Sequence, residues 1–245
     1  MFFFNKKQNI HLDCFTYDSS VLDSVPIVEA YKAKPQWYNK LSSGKRNESF
    51  EEPSIIVDKS IKLCYGFKKL YDRGIILENW TDILIDVDDT EGYRYKYAGG
   101  SAPKCHDPDQ YKGGFKDHYN MKLVSPWCFR SKDDVDLLEI GAEWSLDKFN
   151  IKILPGVLNV NNTGTTINIF TMLPKKKYQF LIPAGQPLVH IIPLTEKSLT
   201  FTNHLVTKQE FDSLMFNTNK ISFFGWRKAR YLVKRTNERQ KCPFR

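Results

Sequence analysis

The chain has 245 residues, a formal charge of +8, 41% hydrophobic residues and 14% aromatics, enough apolar material for one sizeable core and too much for a disordered polyelectrolyte. No apolar run approaches the ~18 residues of a membrane-spanning helix, and five scattered cysteines (Cys14, Cys64, Cys105, Cys128, Cys242) argue against a disulfide framework or zinc knuckle and read as reduced thiols. The charge is segregated: nine bases and one acid fall between Asn219 and Arg245, whereas the first 218 residues carry 27 of each sign.

In chain order, Met1-Phe2-Phe3-Phe4 meets Asn5, Lys6 and Lys7 before a signal-peptide core forms, so the protein is expected to stay in the compartment where it is made. The sequons at Asn47, Asn79 and Asn161 are then chance matches. Residues 1 to 60 are expected to be irregular, broken by Pro26, Pro35 and Pro53, with short helices over 27–33 and 36–41. From Ile61, residues Leu63, Phe67, Leu70 and Tyr71 fall at helical spacing and Gly74 supplies a stop. The period then changes to two. Ile83, Ile85 and Val87, a polar turn over 88–92, and Tyr93, Tyr95 and Tyr97 predict a hairpin. Its acidic run Asp86, Asp88, Asp89, Glu91 has the glycine of a calcium loop one place late and lacks the terminal glutamate, so it reads as a solvated turn.

Residues 99 to 119 form a long loop rich in Gly, Pro, Asp and Lys, and long aperiodic loops inside a compact domain tend to be functional. Cys105, His106 and His118 offer thiolate and imidazole, the groups a metal or an activated thiol needs, and Gln110 adds a candidate ligand contact. Their spacing matches no established metal motif, and no metal or cofactor is expected. Strands are expected over 121–130, 135–143, 150–160, 165–172, 177–182, 187–193 and 198–206, separated by Pro155-Gly156, Thr163-Gly164 and Pro183-Ala184-Gly185. His190 shares a strand face with Leu188 and Ile192, as a hydrogen-bonded core histidine would. His11 and His204 have no companion group at a telling distance. Phosphate-loop, serine-hydrolase-elbow and zincin motifs do not occur, and no catalytic residue is assigned.

Thr207-Lys208-Gln209-Glu210 is a capping box ahead of Phe211, Leu214 and Met215. A second helix is expected from Trp226, where Trp226 with Arg227, Lys228, Arg230, Lys234 and Arg235 combines cations for phosphates with aromatic faces for bases. The chain is thus predicted to be mainly β (α+β). It would be a β-clip or jelly-roll-like sandwich in three parts: an irregular segment over 1–60 with short helices, a β-rich core over 61–206, and a helical basic extension over 207–245.

Pro35-Gln36-Trp37-Tyr38, Ile61-Lys62-Leu63-Cys64-Tyr65-Gly66-Phe67, Lys122-Leu123-Val124-Ser125-Pro126-Trp127, Ile182-Pro183-Ala184-Gly185-Gln186-Pro187-Leu188-Val189-His190 and Lys241-Cys242-Pro243-Phe244 carry a resemblance to a protein family of large tailed, particularly marine, bacteriophages with no established activity. That resemblance implies a place in the host cytoplasm or in the virion. Gly156-Val157-Leu158-Asn159-Val160-Asn161-Asn162-Thr163-Gly164, with the strand at Leu188–Ile192, is similar to the dUTPase pattern. There Asn159 stands at the family's catalytic aspartate and Asn162 at its ribose-discriminating tyrosine, which implies a β-clip fold and a nucleotide pocket beside Asn159 and Asn161.

Three functions remain in view: a non-enzymatic binding or virion-associated module whose residues 219–245 engage nucleic acid or an acidic protein surface; a diverged dUTPase-like nucleotide-binding protein or hydrolase; and a metalloenzyme using Cys105, His106 and His118. Association with further copies of the chain is left open. No membrane partner is expected.

Overall fold

In the computed structural model, the structure describes residues 9–42, 44–46, 57–99, 104–105, 115–160 and 165–219. Its strands are β1 (Asn9–Thr16), β2 (Val28–Glu29), β3 (Gly44–Arg46), β4 (Val57–Lys59), β5 (Ile75–Glu78), β6 (Ile83–Val87), β7 (Tyr93–Tyr97) and β8 (Lys104–Cys105). They continue as β9 (His118–Ser131), β10 (Asp136–Gly141), β11 (Lys152–Ile153), β12 (Gly156–Asn159), β13 (Thr165–Pro174), β14 (Tyr178–Ile182), β15 (Pro187–Pro193) and β16 (Ser198–Leu205). Among the described residues, five α-helices accompany them: α1 (Ser19–Ser24), α2 (Gln36–Lys40), α3 (Tyr65–Tyr71), α4 (Glu143–Leu146) and α5 (Lys208–Asn219).

The strands build a sandwich. One sheet runs β11-β13-β9-β1-β16, with β8 also paired to β9; the facing layer consists of a five-stranded sheet, β12-β10-β15-β5-β2, and a three-stranded sheet, β14-β6-β7. The separate ribbon β3-β4 lies outside both layers' pairing. Alternation decides which side chains meet between the layers. Leu12 and Cys14 of β1, Leu123, Trp127 and Phe129 of β9, and Ile167 and Ile169 of β13 enter one buried cluster with Ile75, Leu77, Ile83, Ile85, Leu137, Val189 and Ile191 from the facing layer.

Two register shifts interrupt the long strands. In β9, Ser125-Pro126-Trp127 stand opposite Ile167 of β13 where the register shifts between Thr166 and Asn168, and the Ser125 hydroxyl accepts the Trp127 N–H at 3.1 Å. A bulge is where a mid-strand proline is tolerated, because its missing N–H falls out of the ladder. In β15 a shift between Pro187 and Val189 makes Leu188 the extra residue and turns both Leu188 and Val189 into the core.

The facing layer is two long strands interrupted together. β5 pairs with β15 and β6 pairs with β14, both antiparallel, and the gaps at 79–82 and 183–186 lie opposite one another. Fully buried Asn79 closes this gap. Its N–H donates to Gln186 O and its carbonyl accepts from Gly185 N–H, both at 2.8 Å, while its Nδ2 lies 2.5, 2.9 and 3.0 Å from the carbonyls of Thr81, Ile182 and Pro183. The Pro183 carbonyl also accepts the Gln186 N–H at 3.2 Å, and a buried carbonyl left unpaired is costly. The same burial keeps the Asn79 sequon inside the fold.

The expected hairpin is present, with Val87 opposite Tyr93. Its turn folds on Asp88, whose carboxylate accepts the N–H groups of Thr90 and Glu91 at 2.9 and 3.0 Å; these bonds hold its pKa down at about 2. The capping box forms as the spacing predicts, with Thr207 N–H and hydroxyl donating to Glu210 and Glu210 N–H donating back to Thr207 Oγ1.

Four expectations need correction. Residues 9–16, inside the segment expected to be irregular, form a strand between β9 and β16. Ser19–Ser24, not anticipated as a helix, is capped by Asp18, which accepts the N–H groups of Ser20 and Val21. The expected helix over 27–33 is instead β2 followed by a 3-10 turn at Ala30–Ala33. In the helix predicted from Ile61, extended backbone at Cys64 separates a 3-10 turn at Ile61–Leu63 from α3, which leaves Leu63 exposed while Phe67 and Tyr71 are buried. Gly74, at φ +82°, ends this region where any Cβ would lie 2.1 Å from the Ile191 carbonyl oxygen.

Candidate functional site

A cleft of about 660 Å3 opens on the outer face of the six-stranded sheet, where β9, β1 and β16 run side by side and α5 packs across one end. Alternation on β1 sends His11, Asp13 and Phe15 outward, and the parallel register places Thr200, Thr202 and His204 of β16 opposite them in turn. On the other flank Arg130 is opposite Asp13 and Cys128 opposite Phe15. α5 seats Phe211 on Phe15 and Cys128, and burial pushes the Cys128 thiol up to about 12, so that thiol is inert at the floor of the cleft.

Asp13 is the centre of the polar network. Its Oδ1 lies 2.8 Å from Nε2 of His204 and 3.5 Å from Nε2 of His11. Nδ1 of His11 is 3.1 Å from the Thr200 hydroxyl, and its Nε2 is 3.3 Å from that of Thr202. His204 is stacked on Phe15 with centroids 4.9 Å apart, which fixes the plane of its imidazole. Asp133 accepts the backbone N–H of His11 at 3.2 Å, and Glu210 serves the capping box. All three carboxylates are therefore engaged internally. Among the described residues, neither Arg130 nor Lys132 has an ion-pair or side-chain hydrogen-bond partner.

The cleft thus has a cationic side on β9 and a hydrogen-bonding side on β16. The carboxylates Asp13, Asp133 and Glu210 share the cleft with Arg130, Lys132 and the two imidazoles. Such a surface suits a ligand that is anionic at one end and rich in hydrogen-bonding groups at the other.

Of the residues singled out from sequence, Asn159 lies in the facing layer, where its Nδ2 donates to Asp136 Oδ1 at 2.7 Å across the β10–β12 pair. β12 pairs with β10 and β13 with β9 and β11, so these two strands belong to different layers. His118 is half-buried at the start of β9, and Cys105 of β8 is opposite Met121 three residues further along that strand. His106, Gln110, Asn161, Trp226, Arg227, Lys228, Arg230, Lys234 and Arg235 lie outside the described residues. His190 is a core histidine: its Nε2 lies 2.7 Å from the Arg73 carbonyl, its ring stacks on Tyr71, and burial lowers its pKa.

His11, Asp13 and His204 were not legible as a group, because nearly two hundred residues separate the two strands that bring them together. The available signal was the period-two pattern of polar or aromatic residues at 11, 13 and 15 and at 200, 202 and 204. No helix among the described residues is long and apolar enough to cross a membrane. No family model matches the chain, and no curated protein matches it.

Proposed function

We propose that this protein is a nucleic-acid-binding β-sandwich module, in which residues 219–245 supply most of the electrostatic attraction and the β9-β1-β16 cleft receives a nucleotide unit. The observation that carries this reading is the segregation of charge: the whole formal excess of +8 lies in the last 27 residues, on a body of balanced charge. Closely spaced cations release counterions from a polyanion, and interleaved aromatics offer faces for bases. α5 supports the assignment, because Phe211 anchors it beside the cleft just before the cationic residues begin. A phosphate at Arg130 and Lys132, with hydrogen bonds to His11 and His204, is the chemistry the cleft offers a nucleotide. The resemblance to tailed-phage proteins would put this binding in an infected host cell or in the particle.

The test is binding of single-stranded oligonucleotide across a salt series, comparing the native chain with one in which Arg227, Lys228, Arg230, Lys234 and Arg235 are all Gln. Losing five cations should weaken binding and flatten the log–log salt slope by about 3. An unchanged slope would overturn the assignment, and binding that persists only toward acidic proteins would move the function to a protein partner.

A further inference from the structure

The outer face of the opposite layer carries a second surface of different composition. There α2 and α3 enclose a small core of Tyr38, Phe67 and Tyr71, separate from the main cluster and fastened to β15 by the stacking of Tyr71 on His190. Trp37 of α2 and Trp144 of α4 lie on top of it. Their ring centroids are 5.1 Å apart, and Phe67 meets Trp144 edge-on at 4.5 Å, so both indoles are held from beneath. Yet each is 39% exposed, and Tyr65 at the start of α3 is 73% exposed. Large aromatics that are braced on one side and bare on the other present a rigid face at little entropic cost.

The charges around this face have one dominant sign. α2, the turn at Ile61–Leu63 and α3 together contain four lysines, Lys40, Lys62, Lys68 and Lys69, and no carboxylate. Lys62 is committed to the carbonyls of Asn39 and Leu41, and Lys69 lies over the Tyr65 ring at 5.5 Å. Lys40 and Lys68 are exposed and have no partner among the described residues. Acids do flank these elements, most of them already paired: Glu29, Asp72 and Glu196 share a pocket with Tyr65 and Lys69 and pair with Lys32, Lys34 and Arg73 at 2.8, 3.2 and 4.0 Å, and Glu143 opens α4.

We infer that Trp37 and Trp144 form a stacking platform for the bases of single-stranded nucleic acid, with Lys40, Lys68 and Lys69 meeting its phosphates. Stacking accepts any base, because every base has a π face, and the lysines track the backbone. The inference rests on the nucleic-acid reading for its ligand class but uses no residue of the cationic segment or of the cleft. It makes the module two-sided, so a strand that reaches both faces binds more tightly than either surface alone would hold it.

The experiment uses the full chain carrying Trp226→Phe, so that the accessible tryptophans are those of the platform; Trp80 and Trp127 are buried. Oligodeoxythymidine should quench the emission, whereas inorganic polyphosphate, which has charge but no bases, should bind without quenching. Adding Trp37→Leu and Trp144→Leu should abolish quenching and weaken oligonucleotide affinity roughly tenfold, with polyphosphate binding kept and an unchanged β-sheet circular dichroism spectrum as proof of folding. Lys40→Gln with Lys68→Gln should weaken affinity while leaving the rings in place.

Quenching that is absent in the Trp226→Phe chain, that survives the double leucine change, or that a neutral oligosaccharide reproduces would overturn the platform. Should neutralising the cationic segment leave affinity intact while the leucine changes reduce it, the assignment to residues 219–245 would fall and the platform would stand. The converse result would remove the platform alone.

Discussion

Glu139 faces the core from β10, two residues beyond buried Leu137 on the same side of the strand, and its Oε1 has no hydrogen-bond partner among the described residues. Burial pushes its pKa up from 4.5 to about 8. In the unfolded chain the carboxyl ionises near 4.5, while in the fold it keeps its proton to about 8. Its contribution to stability is therefore complete below the lower value, declines by on the order of 1 kcal/mol per pH unit between the two, and is constant above. Glu139→Gln should remove that slope and make the variant more stable than the native chain at pH 8; urea denaturation at pH 5, 7 and 9 measures it, and parallel curves for the two proteins would refute the assignment. His190 works in the opposite direction. Its lowered pKa keeps it neutral in the fold, so stability is lost as pH falls below its ordinary value of 6.5, and that dependence should survive in the Gln variant. His190 is buried and hydrogen-bonded as expected, but against Tyr71 rather than on the face of Leu188, which the bulge turns into the main core. The inward Glu139 was not legible, since alternation names a face but not whether that face is buried.

Among elements, the strands from Met121 onward agree closely with their alternation, and the departures have local causes. The strand expected over 150–160 is divided into β11 and β12 because Pro155 breaks the ladder and each half joins a different layer. The paired interruption between β5–β6 and β14–β15 is the least legible feature, because it depends on two gaps meeting across the sheet. Asn79→Ala should cost about 2–3 kcal/mol by removing the amide from the carbonyls of Thr81, Ile182 and Pro183, the first two of them buried. Guanidinium unfolding gives that number, and amide exchange should show the loosening concentrated at β5, β6 and β14. A loss below about 0.5 kcal/mol would mean that the backbone bonds to Gln186 and Gly185 hold the bend without the side chain.

At the scale of the whole molecule, β1 and β16 pair in parallel over eight register positions, joining the two ends of the core beside β9. A parallel pair of such sequence separation forms late and has no hairpin to hold it, yet β1 itself is flanked on both sides, by β9 and by the edge strand β16. Amides of β1 should therefore exchange only with global unfolding, as slowly as those of β9. Exchange of β1 by local fraying, well ahead of β9, would show that the sheet does not depend on it. The same pairing builds the cleft, so loss of β1 should also remove His11 and Asp13 from His204 and abolish any ligand response there.

The amino-acid sequence by itself determined the β-rich class, most strand positions after Met121, the Asp88 turn, the Thr207–Glu210 cap and the concentration of positive charge after residue 218. These are local quantities, set by the alternation of side chains, by short-range hydrogen bonds and by counting. Tertiary structure alone decided that Asn9–Thr16 is an internal strand, that Asn79 closes a paired break, that Asp13 lies between two histidines from strands nearly two hundred residues apart, and that Trp37 and Trp144 share one exposed face. Each of these requires two remote segments to meet in a particular register, and that register comes from the shared core rather than from either segment.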